Sequence, residues 1–153
     1  MNNNQNIILL VEDNPGDEAL TLLALKENNI NNHIDIVHDG EEALDYLFAK
    51  NKYTHLKNIN CPKLILLDLK LPKINGNEVL KQLRNNNRTA YIPVVMLISS
   101  KENNDIINSY DNGVNSYVRK PLSFKQYSNA IGQISLYWLM INHNSTDTTQ
   151  QTH

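Results

Sequence analysis

The sequence has little cysteine, no surplus of positive charge and no long apolar runs, and each of these absences excludes a class of structure or function. The chain has one cysteine, Cys61, so it cannot form a disulfide within itself. Lys and Arg number 14 against 16 Asp and Glu, which gives a net charge of -2 and no basic surface for a nucleic acid. We therefore expect no direct binding to DNA or RNA.

The apolar runs are short, and the N-terminus is polar. The N-terminal stretch MNNNQN lacks the apolar segment of a signal peptide. No apolar run approaches the roughly 20 residues that a helix needs to cross a bilayer. We therefore expect a cytoplasmic protein without membrane association, and a length of 153 residues indicates one domain around one core.

Five short apolar runs, rich in β-branched residues, predict the strands of a sheet. Three of them are apolar without alternation, which is typical of strands that are covered on both faces in a parallel sheet. The runs are IILLV at 7–11, IDIV at 34–37, LILL at 64–67, VVMLI at 94–98 and SYV at 116–118.

Segments of helical character separate and follow these runs, at 14–29, 41–50, 76–86, 101–113 and 123–141. Strands that alternate with helices predict an α/β fold with a doubly wound sheet. We assign residues 1–141 to this domain and expect the polar residues 142–153 to form a disordered tail. The segment 51–62 is predicted to be an irregular insertion before the third strand.

Polar residues follow the predicted strands, where an open parallel sheet binds its ligands. They are Glu12 and Asp13 after the first strand, Asp68 after the third, Ser99 after the fourth and Lys120 after the fifth. Neighbouring carboxylates repel one another. The repulsion is relieved when the pKa of one carboxyl rises or when a hard cation such as Mg²⁺ binds, and an exposed pocket favours binding of the cation. Asp68 could then attack a phosphoryl group whose charge Lys120 stabilises. The pattern predicts phosphoryl transfer onto Asp68.

Three segments carry this chemistry in order: LLVEDNPGD at 9–17, LILLDLKLPKINGNEVL at 64–80 and GVNSYVRKP at 113–121. In residues and spacing they resemble the receiver domains of two-component response regulators, from Asn6 to about Ile141. The amino-acid sequences of these segments are most similar to those of single-domain regulators that pair with phytochrome-type sensor histidine kinases.

The resemblance implies a flavodoxin-like (βα)5 fold with a five-stranded parallel sheet in the order 2-1-3-4-5. It implies that Asp68 accepts the phosphoryl group and that Lys120 binds it. The implied Mg²⁺ ligands are Asp13 and Asp68 directly, Glu12 through water, and the backbone carbonyl of Lys70. It also implies a cis peptide bond before Pro121.

The chain departs from the family pattern at Ile98, where similar proteins carry a Thr or Ser hydroxyl. In the family this hydroxyl bonds the phosphoryl group and makes room for an aromatic residue, here Tyr117. Isoleucine has no donor and is stiff at χ1. Ser99 is a candidate replacement, but strand alternation predicts that it points to the other face. We expect a receiver whose Tyr117 response is weak or altered.

We interpret the sequence as a stand-alone receiver that takes a phosphoryl group from a sensor histidine kinase or a phosphotransfer protein. It would assist its own phosphorylation and dephosphorylation without being a classical enzyme, and it would signal through protein contacts. The alternative, which Ile98 raises, is a degenerate receiver that binds proteins without phosphorylation. The last predicted helix is apolar nearly all round towards its end, which predicts a homodimer through that helix.

Overall fold

The computed structural model describes residues 6–57, 61–99, 112–120 and 123–151. Five strands are present: β1 (Ile7–Val11), β2 (His33–Val37), β3 (Leu64–Asp68), β4 (Val94–Ser99) and β5 (Ser116–Lys120). The α-helices in these ranges are α1 (Pro15–Glu27), α2 (Gly40–Leu47), α3 (Gly76–Arg84) and the C-terminal helix (Phe124–Gln151).

The strands form one parallel sheet in the order β2-β1-β3-β4-β5. Every residue of β1 and β3 is buried, as expected for central strands with helices on both faces. The α/β class, the flavodoxin-like fold and the strand order are therefore confirmed.

Two helical layers cover the sheet. On one face, α1 and the C-terminal helix pack over a core that includes Leu10, Leu66 and Ile131. On the other face, α2 and α3 cover a core that includes Leu9 and Leu67. Adjacent strand residues thus enter different cores, because side chains alternate along a strand.

Polar contacts join the C-terminal helix to its neighbours. The hydroxyls of Thr21 and Tyr127 lie 2.8 Å apart and hold it against α1. The Trp138 indole donates a hydrogen bond of 2.8 Å to the Ser116 hydroxyl at the start of β5. Hydrogen bonds to partners far away in sequence fix the position of this helix on the sheet.

Capping side chains begin each of the first three helices soon after a strand or its loop. The side chain of Asn14 accepts a hydrogen bond of 2.9 Å from the Asp17 backbone N–H, and Pro15 occupies the first helical position. Asp39 and Asn75 cap α2 and α3 in the same way. These caps turn the chain back along the sheet, so that the strand ends remain open to solvent at one edge.

The described part of the insertion, at 51–57 and 61–62, is more ordered than the sequence predicted. Residues Asn51–Leu56 form a 3₁₀ helix, and the Tyr53 hydroxyl donates a hydrogen bond of 2.6 Å to Glu42. Burial would raise the pKa of Glu42, but hydrogen bonds from Tyr53 and the His38 backbone N–H, with the charge of Lys52, outweigh it and lower the pKa to about 2. The insertion is thereby fastened to α2.

The C-terminal helix is longer than the sequence predicted. We expected it to end near residue 141, but it continues to Gln151. Residues 142–151 contain no Gly or Pro, the residues that oppose a helix most strongly. The division into a domain at 1–141 and a tail at 142–153 stays a prediction.

Most of the predicted helix at 101–113 lies outside the described residues. None of the helices in the described ranges is long and apolar enough to cross a membrane.

Candidate functional site

The acidic residues and the lysine that the sequence singled out meet at the carboxyl edge of the sheet. Glu12 and Asp13 directly follow β1, Asp68 ends β3 and Lys120 ends β5. Glu12 is fully buried, the Asp68 side chain is 10% exposed, and Asp13 is exposed. A buried acid pair therefore lies beside an acid that faces solvent.

Lys120 is the centre of the ion pairs at this edge. Its ammonium lies 3.1 Å from Glu12 Oε1 and 3.2 Å from Asp68 Oδ1. A third carboxylate, that of Asp17 in the first turn of α1, lies 3.1 Å from the same nitrogen. The lysine therefore joins the end of β5 to β1, β3 and α1.

The donor set fits a hard divalent cation. Glu12, Asp13 and Asp68 each offer a carboxylate oxygen, and these oxygens lie within 4.8 Å of one another. Carboxylate oxygens are the ligands that Mg²⁺ and Mn²⁺ prefer, and the exposed side at Asp13 leaves room for the waters that Mg²⁺ retains. Lys70 lies in the loop two residues after Asp68, and its carbonyl stays a predicted ligand.

Burial and neighbouring charge perturb both partners of the Asp68–Lys120 pair. Burial, together with the adjacent Glu12, raises the pKa of Asp68 from an ordinary value of 3.8 to about 8, although Lys120 opposes the rise. Burial lowers the pKa of Lys120, but the carboxylates of Asp68, Glu12 and Asp17 outweigh it and raise that pKa above its usual value. The edge therefore has more negative charge than one ammonium can balance.

Two glycines let the loops around Asp68 approach each other closely. A Cβ on Gly76 would overlap the backbone at Asp68 and Leu69, and the Gly76 N–H donates a hydrogen bond of 2.8 Å to the Leu69 carbonyl. A Cβ on Gly40 would overlap the carbonyl of Ile74. The loop after β3 is therefore held against the start of α3 and the start of α2.

Ile98 lies on the face of β4 that α2 and α3 cover. It is fully buried in the core under α2 and α3, and Tyr117 packs against that core while partly exposed. Ser99 is exposed, and its register partner is Lys120. Ile98 and Ser99 thus differ in burial, as expected for neighbouring residues of a strand.

One residue of the site was missed by the sequence interpretation. That interpretation assigned no role to Asp17, yet it is an ion-pair partner of Lys120. No local pattern pointed to this contact, because Asp17 and Lys120 are 103 residues apart in the sequence. Pro121, with its predicted cis peptide bond, lies outside the described residues.

We predict that Asp68→Asn stabilises the metal-free protein more at about pH 9 than at about pH 5. Because the pKa of Asp68 rises from 3.8 to about 8 on folding, the folded chain holds a proton that the unfolded chain releases. The unfolding free energy of wild type must therefore fall as pH rises through this window, and asparagine has no charge to bury. Urea unfolding in EDTA measures the difference.

The matched control for this prediction repeats the series in saturating Mg²⁺, whose charge should reduce the difference between the two proteins. A stabilisation that is the same at both pH values would contradict the assignment of the effect to the Asp68 carboxyl.

Comparison with known proteins shows the family to which the chain belongs. Residues 8–132 match the model of the response regulator receiver domain. The response regulator Rcp1 of Synechocystis sp. is 38% identical over 133 residues, which cover 87% of this chain and 88% of Rcp1. Its Mn²⁺-bound structure superposes with a TM-score of 0.78, over 88% of this chain and 94% of that one.

Two further solved structures are similar. The phosphorylated cyanobacterial phytochrome response regulator RcpA is 39% identical with a TM-score of 0.79, over 88% of this chain and 94% of that chain. The bacteriophytochrome response regulator RtBRR is 49% identical with a TM-score of 0.72, over 82% and 75% of the two chains. By its sequence, its fold and the acidic edge of its sheet, the chain belongs to the receiver domains of two-component response regulators.

Proposed function

We propose that this receiver accepts a phosphoryl group on Asp68 and passes the signal on through protein contacts. The observation that carries the proposal is the pairing of the Asp68 carboxylate with the Lys120 ammonium at 3.2 Å, beside the carboxylates of Glu12 and Asp13. RcpA, a similar protein, has been solved in a phosphorylated form. A sensor histidine kinase or a phosphotransfer protein would supply the group.

Phosphoryl transfer requires mainly that the protein positions the reacting groups and balances their charge. An Asp68 carboxylate oxygen attacks the phosphorus of a phosphohistidine, an O–P bond forms, and the P–N bond breaks as the imidazole leaves with the shared electron pair. Lys120 neutralises charge on the phosphoryl oxygens. Asp68 needs its ionised form for the attack, so the charge that raises its pKa has to be balanced first.

Mg²⁺ is the proposed cofactor. Glu12, Asp13 and Asp68 would hold it, and it would supply positive charge beside the transferred phosphoryl group. The Mn²⁺-bound structure of Rcp1 supports a divalent cation in a similar protein. The Lys70 carbonyl completes the proposed ligand set from this chain.

The proposed setting is cytoplasmic, and the proposed output is a protein partner rather than a nucleic acid. RcpA and Rcp1 match this chain over most of their length, which supports a regulator that consists mainly of its receiver. RcpA and RtBRR are named as phytochrome regulators, which supports a phytochrome-type kinase as the partner. The receiver assists its own phosphorylation without turning over a separate substrate.

We predict that the wild-type protein gains one phosphoryl group when it is incubated with Mg²⁺ and acetyl phosphate, and that Asp68→Asn does not. Intact mass measurement detects the adduct. Asp45→Asn is a matched control, because Asp45 lies on α2, outside the acidic cluster, and should be phosphorylated like wild type. The absence of an adduct on wild type, with acetyl phosphate and with a phosphohistidine donor, would favour the degenerate binding module.

The proposed response of Tyr117 to phosphorylation is weak. Ile98 is fully buried in the core against which Tyr117 packs, and it offers no hydrogen-bond donor to a phosphoryl oxygen. The absent contact would be a hydrogen bond to a charged group, worth about 1.5 to 3 kcal/mol. The acceptor, the metal ligands and Lys120 do not depend on it, so phosphorylation itself should survive.

Ile98→Thr should restore a response at Tyr117. Adding beryllofluoride, a phosphoryl analogue, with Mg²⁺ should shift the NMR signals around Tyr117 further in the variant than in wild type. Ile98→Val is the control, because valine is branched in the same way but has no hydroxyl. Equal shifts in wild type and Ile98→Thr would refute the proposed effect.

The C-terminal helix is the proposed site of homodimer formation. Four of its large apolar side chains are 40% to 64% exposed: Leu136, Tyr137, Met140 and Ile141. The buried stripe of the same helix already packs on the sheet. A further apolar surface of this kind favours a protein partner, and a second copy of the chain satisfies it symmetrically.

Met140→Glu combined with Tyr137→Glu should convert a dimer into a monomer, because both variants place charge on the proposed interface. Sedimentation velocity at protein concentrations on the order of tens of micromolar measures the change. Tyr91→Glu is the control: Tyr91 is 88% exposed but lies far from this helix in the sequence, between α3 and β4. A monomeric wild type under these conditions would contradict the dimer.

A further inference from the structure

The ammonium of Lys120 has no hydrogen left to offer an incoming phosphoryl group. A lysine ammonium carries three donors, and here three carboxylates lie within hydrogen-bond distance of its nitrogen. Glu12 and Asp17 are each 3.1 Å away, and Asp68 is 3.2 Å away. A phosphoryl oxygen can therefore bind Lys120 only by replacing one of these partners.

The three partners are not equally easy to replace. Glu12 is fully buried, and a buried carboxylate left without its partner is strongly destabilising. Asp68 is the group that would carry the phosphoryl group itself. Asp17 is 39% exposed, so water can solvate its carboxylate once the lysine leaves. Of the three contacts, the one with Asp17 is the least costly to break.

Asp17 is also held at a position where it would compete with a phosphoryl group for the Lys120 ammonium. Its backbone N–H is bonded to the capping side chain of Asn14, which fixes the first turn of α1 beside the strand ends. Among the described residues, the carboxylate cluster that suits a metal comprises Glu12, Asp13 and Asp68 without Asp17. The described contact of the Asp17 carboxylate is thus with the lysine and not with the metal cluster.

We propose that Asp17 is a positioning residue that holds Lys120 in the unphosphorylated state and is displaced when a phosphoryl group binds at Asp68. The inference rests on the proposed function of Asp68. Because the ion pair with Asp17 must break, the wild-type residue lowers the affinity of the site for phosphoryl groups. Removing its charge frees one donor of Lys120 in advance.

The test compares Asp17→Asn with Glu18→Gln. Glu18 is the neighbouring acid on α1 and lies 3.1 Å from His38 rather than at Lys120, so its variant removes the same charge without touching the lysine. Beryllofluoride is titrated by NMR at saturating Mg²⁺. Asp17→Asn should bind it about two- to five-fold more tightly than wild type, which is the range of a partly exposed ion pair. Glu18→Gln should bind it like wild type.

A second comparison distinguishes an effect through Lys120 from direct repulsion between Asp17 and the anion. Lys120→Gln is combined with Asp17→Asn, in the manner of a double-mutant cycle. If Asp17 acts through the lysine, the double variant should bind beryllofluoride no better than Lys120→Gln alone. A gain that persists without the lysine would overturn the inference.

The remaining outcomes separate this inference from the proposed function. If wild type binds beryllofluoride and Asp17→Asn binds it equally or more weakly, only the role of Asp17 is refuted. A gain in Glu18→Gln equal to that in Asp17→Asn would refute that role as well, because it would reflect net charge alone. If wild type neither binds beryllofluoride nor gains a phosphoryl group, the proposed function fails, and the role of Asp17 fails with it.

Discussion

One ammonium group, that of Lys120, ties the ends of three strands to the first turn of a helix. Lys120 ends β5, whereas Asp68 ends β3, and β4 lies between them in the sheet. The lysine side chain must therefore extend across β4, where its register partner is the small Ser99. The ion pair thus links two strands that are not neighbours in the sheet.

Lys120 alone does not balance the negative charge of the site. It is one positive charge among the carboxylates of Glu12, Asp17 and Asp68, with Asp13 close by. The burial of Glu12 and Asp68 prevents water from screening their charges as it would at an exposed surface. The fold brings together an excess of negative charge that only a proton or a cation can balance, and this excess makes the edge suited to metal and phosphate chemistry.

The sequence predicted the sheet and the residues at its edge because both follow from local pattern. Apolar runs identify buried parallel strands, and the residue after each run must lie at the carboxyl edge. The partnership of Asp17 with Lys120 could not be predicted in this way, because it depends on how α1 is placed over residues about a hundred positions away. The 3₁₀ helix at Asn51–Leu56 likewise depends on the distant contact of Tyr53 with Glu42.

The Trp138 hydrogen bond to Ser116 has a practical consequence. Trp138 is the sole tryptophan of the chain, and Ser116 immediately precedes Tyr117 on β5. Its indole lies where the C-terminal helix meets that strand, half shielded from water and beside the Tyr137 ring. The tryptophan fluorescence of the unlabelled protein therefore originates at this junction, and its wavelength reports whether the helix remains docked there.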